Sequence, residues 1–430
     1  MKFYGNKPCR KRTFRWLAVL AFAIGAPDWA VADQWPRWRG PQGDGSWQGP
    51  TLPERWPDAG LQVQWQSKLG GGYAGIAVVS GRVYTLDRQQ EPTETEGILC
   101  FSADDGKLLW QHRYPVAYAK LDYGNGPRST PTIHAGRVFT LGTLGHLHCL
   151  DAVSGEVAWS KNLVQESGAR IPEWGLAASP VIYGNLVIVH GGGSPGGALM
   201  AFNRDSGAEV WRASDDPAGY ATPVITRHQD QDLLIAWTPE HVLGMSPRTG
   251  AIHWSIPYKV TYGVSIATPV VVGDMVLVSG YWEGTKAIRL GKSLAEAELI
   301  WEDNRHLRGL MSQPMHRDGH GYLLDKHHGL TCFELASGKR LWDDGNRLTQ
   351  RSRNPQANLV WLGDSDRVIA LNAEGELILA RLTPAGYEEQ SRTKIIDPTW
   401  AHPAFAGSRV FARDDKQIVC RRLTSDDNPQ

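Results

Sequence analysis

Cysteine is scarce in this chain, at five residues in 430, and no long apolar run occurs beyond the N-terminal stretch Trp16 to Ala26. Scarce cysteine excludes a disulfide-stapled scaffold, so stability must come from a core. A basic excess is also missing. Residues 1–15 carry Lys2, Lys7, Arg10, Lys11, Arg12 and Arg15, and Ala30-Val31-Ala32 precedes Asp33 as a small-x-small cleavage site. The expectation is a secretory signal over residues 1–32, too short in its apolar part to span a bilayer comfortably. Cys9 stands before the apolar run and so is not placed to be acylated at the cleavage site. The remaining chain has 39 basic and 44 acidic side chains, a net charge of −5. Sequence-independent nucleic-acid binding needs a basic surface, and no nucleic-acid partner is expected.

What the chain has is a repeat. The stretch from Ser129 to Trp159 reads as four short strands separated by Gly-bearing turns, with β-branched and aromatic residues alternating between them. Tryptophan closes such a unit at 65, 110, 159, 211, 254, 301 and 342, with Tyr387 in an eighth place, at spacings of 41 to 52 residues. An opening proline gives a second ruler at Pro131, Pro180, Pro223, Pro269, Pro314 and Pro403. The period is that of a four-stranded propeller blade. Gln62 to Trp65 is a closing strand with nothing before it, and Ala401 to Leu423 supplies three strands lacking a fourth. Joining them predicts an all-β fold: an eight-bladed β-propeller of four-stranded antiparallel blades, over residues 61–423, whose last blade is closed by an N-terminal strand. Residues 33–60 form a Trp-, Pro- and Gly-rich segment that resists helix and central strand alike, expected to be an extended strap on the propeller. Residues 424–430 are a polar tail.

Cys100, Cys149 and Cys332 stand six residues before the turn glycines Gly106, Gly155 and Gly338, in a slot held elsewhere by Ala201, Gly244 and Ala380. Such a slot selects for size, so buried thiols are expected.

Motifs with chemical reputations fail on context. Gly192 to Gly196 matches a nucleophile elbow, but it joins two strands, and Pro195 has no N–H to donate to an oxyanion. Two Gly-x-Gly-x-x-Gly runs, from Gly70 and from Gly191, lack the following helix that would receive a pyrophosphate. His316, His320, His327 and His328 fall on opposite ends of a blade and cannot form one zinc site; His327 and His328 keep a place as a two-histidine contribution. Catalytic residues and metal ligands are therefore not assigned.

Alternation sorts the connections into a face of short turns and a face of long ones: Val116 to Arg128, Val164 to Ala177, Tyr258 to Ile266, Glu302 to Leu310, Asp343 to Gln356, Thr393 to Trp400, and an insertion from Arg88 to Gly97. Function concentrates on such loops. Just ahead of the inner strands they supply Tyr123, Asn125, Arg128, Trp174, Tyr220, Tyr262, Arg308, Trp400 and His402, a ring fit for a planar anion or an aromatic-rich peptide.

The segment Cys149-Leu150-Asp151-Ala152-Val153-Ser154-Gly155-Glu156-Val157-Ala158-Trp159 and its copies, such as FELASGKRLW, resemble the tryptophan-docking repeat of pyrroloquinoline-quinone-like (PQQ-like) propellers. The start WPRWRGP and the segment Gly124 to Pro131 resemble exported PQQ-like repeat proteins. That resemblance implies either a non-catalytic propeller of the outer-membrane assembly (BamB) type or a quinoprotein alcohol or sugar dehydrogenase using PQQ with calcium. The dehydrogenases often carry an adjacent-cysteine disulfide, and some a C-x-x-C-H haem segment; neither pattern occurs here. The favoured expectation is an exported, periplasmic or secreted binding module with a protein partner in the cell envelope, no cofactor, and no transmembrane segment after signal cleavage.

Overall fold

A computed structural model describes residues 1–3, 34–192, 195–309 and 311–424. The expected signal segment beyond its first three residues and most of the polar tail lie outside the described residues, as do Gly193, Ser194 and Leu310. Eight antiparallel sheets form a ring, an eight-bladed β-propeller. Blade one holds Ala77–Val79, Arg82–Gln89, Thr95–Ser102 and Leu108–Pro115; blade two holds Thr132–His134, Arg137–Leu141, His146–Asp151 and Val157–Asn162. Blades three to seven repeat the pattern, including blade five with its longer turn and blade seven without an opening proline. In blade eight, Val63–Lys68 pairs with Gln417–Arg422, so both ends of the chain complete one sheet. The described residues contain one short α-helix, Leu163–Ser167, and no helix long and apolar enough to cross a membrane.

The tryptophan repeat is explained by how one blade docks on the next. Directly before each closing tryptophan the fourth strand carries one unpaired residue, as at Ala158 before Trp159 and Val210 before Trp211, and this bulge re-aims the indole. The tryptophan then faces the small slot: Cys100 opposite Trp110, Cys149 opposite Trp159, Gly244 opposite Trp254, Cys420 opposite Trp65. A side chain on Gly244 would lie 2.0 Å from the Trp254 ring, which shows why the slot stays small. All four cysteines of the propeller are free and buried.

Five of the seven indoles, those of Trp65, Trp110, Trp159, Trp211 and Trp301, continue onto the next blade's turn glycine. A Cβ on Gly155 would stand 2.5 Å from the Trp110 ring, and one on Gly207 would stand 2.8 Å from that of Trp159. Indole N–H groups donate across the same junctions, from Trp65 to Ala103 O at 2.8 Å, Trp159 to Arg204 O at 2.8 Å and Trp301 to Leu335 O at 2.9 Å. Trp254 meets blade five, which lacks the short glycine turn, and its buried N–H has no partner among the described residues.

Near the axis a second set of contacts links neighbours through the residue that precedes the opening proline, or the residue before that. Thr130 N donates to Ser179 Oγ at 2.9 Å, Ser179 N to Thr222 Oγ1 at 2.9 Å, and Ala357 N to Ser312 Oγ at 3.0 Å. These buried polar groups are satisfied by the ring itself.

The strap crosses the mouth of the axial channel. Trp35 pairs with Val78 of blade one, Pro36 O accepts from Ile133 N of blade two at 2.8 Å, Trp38 Nε1 donates to Thr268 Oγ1 of blade five at 2.8 Å, and Arg39 reaches Pro314 O of blade six. It also contains a strand. Ser46–Trp47 pairs in parallel with Trp361 and Leu362, because the innermost strand of blade seven offers a free edge, and that sheet becomes five-stranded. Beyond it, Trp56 Nε1 donates to Leu377 O at 3.1 Å, and Trp47 and Trp56 are both buried.

Candidate functional site: an aromatic funnel on the long-loop face

Where the long loops meet the axis they enclose a funnel of about 250 Å³. Its floor is the strap: the Trp38 indole packs on His402 with ring centroids 4.0 Å apart. Burial, aided by the nearby Arg39 guanidinium, pushes the His402 pKa down to about 3, so this imidazole is neutral. Arg39 lies buried beside the floor, its Nη2 donating to Asp44 O and Pro314 O.

One wall is built by Tyr73, Tyr123, Arg128 and Trp400. Tyr73 stacks on Trp400 at 5.7 Å, the Arg128 guanidinium lies 5.3 Å from the Tyr73 ring centroid, and the Tyr73 hydroxyl donates to Tyr123 O. Arg128 spends its donors on its own loop, Nη1 on Gly126 O and Nη2 on Gly124 O, both at 2.9 Å. Burial lowers its pKa. Trp174 and Tyr220 continue the wall at 5.9 Å, where burial raises the Tyr220 pKa to about 12.

The opposite wall is more open. Tyr262 is 68% and Trp282 46% exposed, with ring centroids 6.2 Å apart, and Lys326 Nζ sits over the Tyr281 and Trp282 rings at 4.2 and 4.5 Å. Glu283 fixes this rim by accepting from Thr261 N at 2.9 Å. Tyr123 and Tyr262 both adopt left-handed backbone, at φ 65° and 57°. Such strain costs on the order of 1–3 kcal/mol for a non-glycine residue and gathers where a structure presents side chains for use.

Seven of the nine residues singled out in the sequence thus line one space: Tyr123, Arg128, Trp174, Tyr220, Tyr262, Trp400 and His402. Two do not. Asn125 turns back into its loop, its Oδ1 accepting from Leu121 N at 2.9 Å, and Arg308 folds against buried Asp325, Nε to Oδ2 3.4 Å. Sequence reasoning missed Trp38, because the strap was not expected at the axis, and it missed Tyr281 and Trp282. Those two sit between the second and third strands of blade five, a connection that opens on the same face; an exposed Tyr-Trp pair in a three-residue loop was the available signal.

With the ring and funnel described, similarity to known proteins can be placed on them. The family model described as outer membrane protein assembly factor BamB matches residues 94–344, which is more than half of the chain. The chain belongs to that family. BamB of Moranella endobia is 24% identical over 258 residues, covering 57% of this chain and 64% of that protein, so less than two thirds of that relative is spanned. BamB of Moraxella catarrhalis superimposes with a TM-score of 0.59 at 16% identity, over 84% of this chain and 99% of the other. Quinohemoprotein alcohol dehydrogenase of Comamonas testosteroni superimposes with a TM-score of 0.63 at 12% identity, over 91% and 80%. At those identities the two structures establish the fold alone. In this BamB-family chain the strap and funnel therefore have to be interpreted from their own residues.

Proposed function

We propose that this protein is a non-catalytic binding module of the cell envelope, exported by its N-terminal signal, that engages a protein partner through the funnel and rim of its long-loop face. The observation that carries the reading is the rim itself: half-exposed Tyr123, Tyr262 and Trp282 stand around a pre-formed funnel, two of them held in strained backbone. Aromatic side chains of this kind anchor protein interfaces, presenting large apolar area at low entropic cost. Family membership supports the same reading, since the family and its Moranella endobia member are named as outer membrane protein assembly factor BamB.

A PQQ-dependent dehydrogenase is the competing function, and it would need the funnel to hold a quinone with calcium. Its walls offer aromatic faces and arginines, but among the described residues no aspartate or glutamate lines it and no group of three or more His, Cys, Asp and Glu is spaced to hold a metal ion. Calcium requires carboxylate or carbonyl oxygens in number. The donor set does not fit that group. The experiment is a comparison of envelope co-purification by wild type and by Tyr262→Ala/Trp282→Ala, beside a titration of the wild type with the quinone and calcium. Loss of a reproducible partner in the double variant is expected. Dye reduction with alcohols or sugars on adding quinone and calcium would overturn the reading.

A further inference from the structure

The funnel has a charge pattern that narrows its occupant. Arg128 stands in the wall and Arg353 at the mouth, and neither forms an ion pair with a carboxylate among the described residues. Neighbouring acids are engaged elsewhere: Glu96 accepts from the Tyr114 and Tyr118 hydroxyls and from Thr143 N, Asp415 from Gly72 N at 3.1 Å, and Glu283 from Thr261 N through Oε1, its buried Oε2 having no partner among the described residues. None of them lines the funnel. Two guanidinium groups thus border an aromatic, partly water-excluded space without a matching anion, an arrangement that favours a negatively charged guest.

Shape adds two further constraints. Trp38 and His402 close the bottom, so the funnel is a dead end that receives the tip of a molecule and does not thread a chain. Its volume of about 250 Å³ is below the roughly 300–1,000 Å³ of sites for drug-sized ligands. One ring and a short arm fit within it. Aromatic walls favour a ring by edge and face contact, and the fork of an arginine matches a carboxylate.

From these features we infer that the funnel binds an aromatic carboxylate, a single ring bearing one anionic group, seated against Trp38 with its carboxylate toward Arg128 and Arg353. This rests on the reading of the long-loop face as the binding face and gives that face its chemistry. Two sources share the chemistry, a free aromatic acid and the terminal residue of a protein chain.

The test is titration of the intact protein, followed by tryptophan fluorescence and calorimetry, with 3-phenylpropionate, 3-phenylpropionamide, and a short peptide ending in phenylalanine with a free carboxylate. The acid should bind about tenfold or more tighter than the amide, a margin set by the charge-assisted hydrogen bonds. Arg353→Gln, at an exposed position whose backbone carbonyl accepts from the Tyr281 hydroxyl at 3.0 Å, should remove most of that margin. Tighter binding of the peptide than of the free acid assigns the terminal-residue source, and the reverse assigns the free one. Equal affinity for acid and amide, or no binding of either, overturns the inference. The outcomes also separate from those of the proposed function: a partner captured through the rim by a protein that shows no preference for the acid over the amide leaves that reading intact and removes this one, whereas acid binding without any partner does the opposite.

Discussion

Replacing Gly155 by alanine, beside the same change at Gly136 in the same blade, isolates the blade-docking contact. Both glycines have left-handed backbone, φ 76° and 73°, so both variants carry the strain of an L-residue there, about 1–2 kcal/mol. The surroundings differ. A methyl group on Gly136 meets nothing within 4 Å, whereas one on Gly155 falls 2.5, 2.7 and 2.9 Å from Cδ2, Cε3 and Cγ of Trp110. Those atoms are the fused, backbone-proximal part of the indole, whose N–H is tied to Ala152 O at 3.2 Å, so the ring cannot swing aside freely. Forcing a methyl into a packed contact costs a further 1–3 kcal/mol or so. With unfolding entropy of about 2.1 cal/mol/K per residue, the whole propeller shifts its Tm by roughly 1 °C per kcal/mol. Gly136→Ala should therefore lower Tm by about 1–2 °C and Gly155→Ala by roughly 2–5 °C, read by differential scanning calorimetry. Equal shifts would refute the docking argument, since the two substitutions differ only in what the methyl group meets.

Other consequences can be checked in parallel. Both Trp159→Phe and Trp254→Phe lose packed ring volume, but Trp159→Phe also loses a donated hydrogen bond, about 0.5–1.5 kcal/mol, whereas Trp254→Phe removes a buried N–H that has no partner among the described residues and carries no such added loss, both read by denaturant midpoint. Buried His148 and His190 are held neutral, burial lowering their pKa values to about 3 and about 4, with His112 and His146 adding to the effect at His148. His190 Nδ1 accepts from Gly219 N at 3.0 Å and must be unprotonated to do so. Because both folded values lie below the ordinary histidine value near 6.5, this stability is complete above about pH 6.5 and is lost as pH falls toward 4 and 3. Each residue should account for about 2 kcal/mol of loss at pH 5 relative to neutral pH, and His190→Gln should flatten the pH dependence of the urea midpoint. Trp47→Ala, which empties a fully buried site between strap and blade seven, should cost about 3–5 kcal/mol and expose the strap to limited proteolysis.

How much was legible in the sequence follows from which features repeat. The docking tryptophan, the small slot and the turn glycine recur at fixed offsets in five blades because those blades solve the same packing problem, so blade number and the closure by Val63–Lys68 could be read from spacing. The bulge before each tryptophan left no mark, because any residue, Ala158 or Val210 alike, can occupy an unpaired position. The strap appears once, so no copy exposed its role; Trp38 was visible as one of several arm tryptophans, but its place at the axis depends on contacts with blades one, two, five and six. In the funnel, aromatics just ahead of inner strands meet around one space because the blade geometry fixes where those residues point. Asn125 and Arg308 departed because a side chain with strong local partners satisfies them first, Leu121 N for one and Asp325 for the other.

The central claim, that the long-loop face is the binding face, is tested most directly by placing a photo-crosslinking residue at Trp282 on the funnel rim or at Val153, which is 65% exposed on the short-turn face. Irradiated in intact cells, the protein carrying the crosslinker at 282 should give a discrete, reproducible adduct and that carrying it at 153 none. An adduct from 153 with nothing from 282, or no adduct from either, would contradict the account.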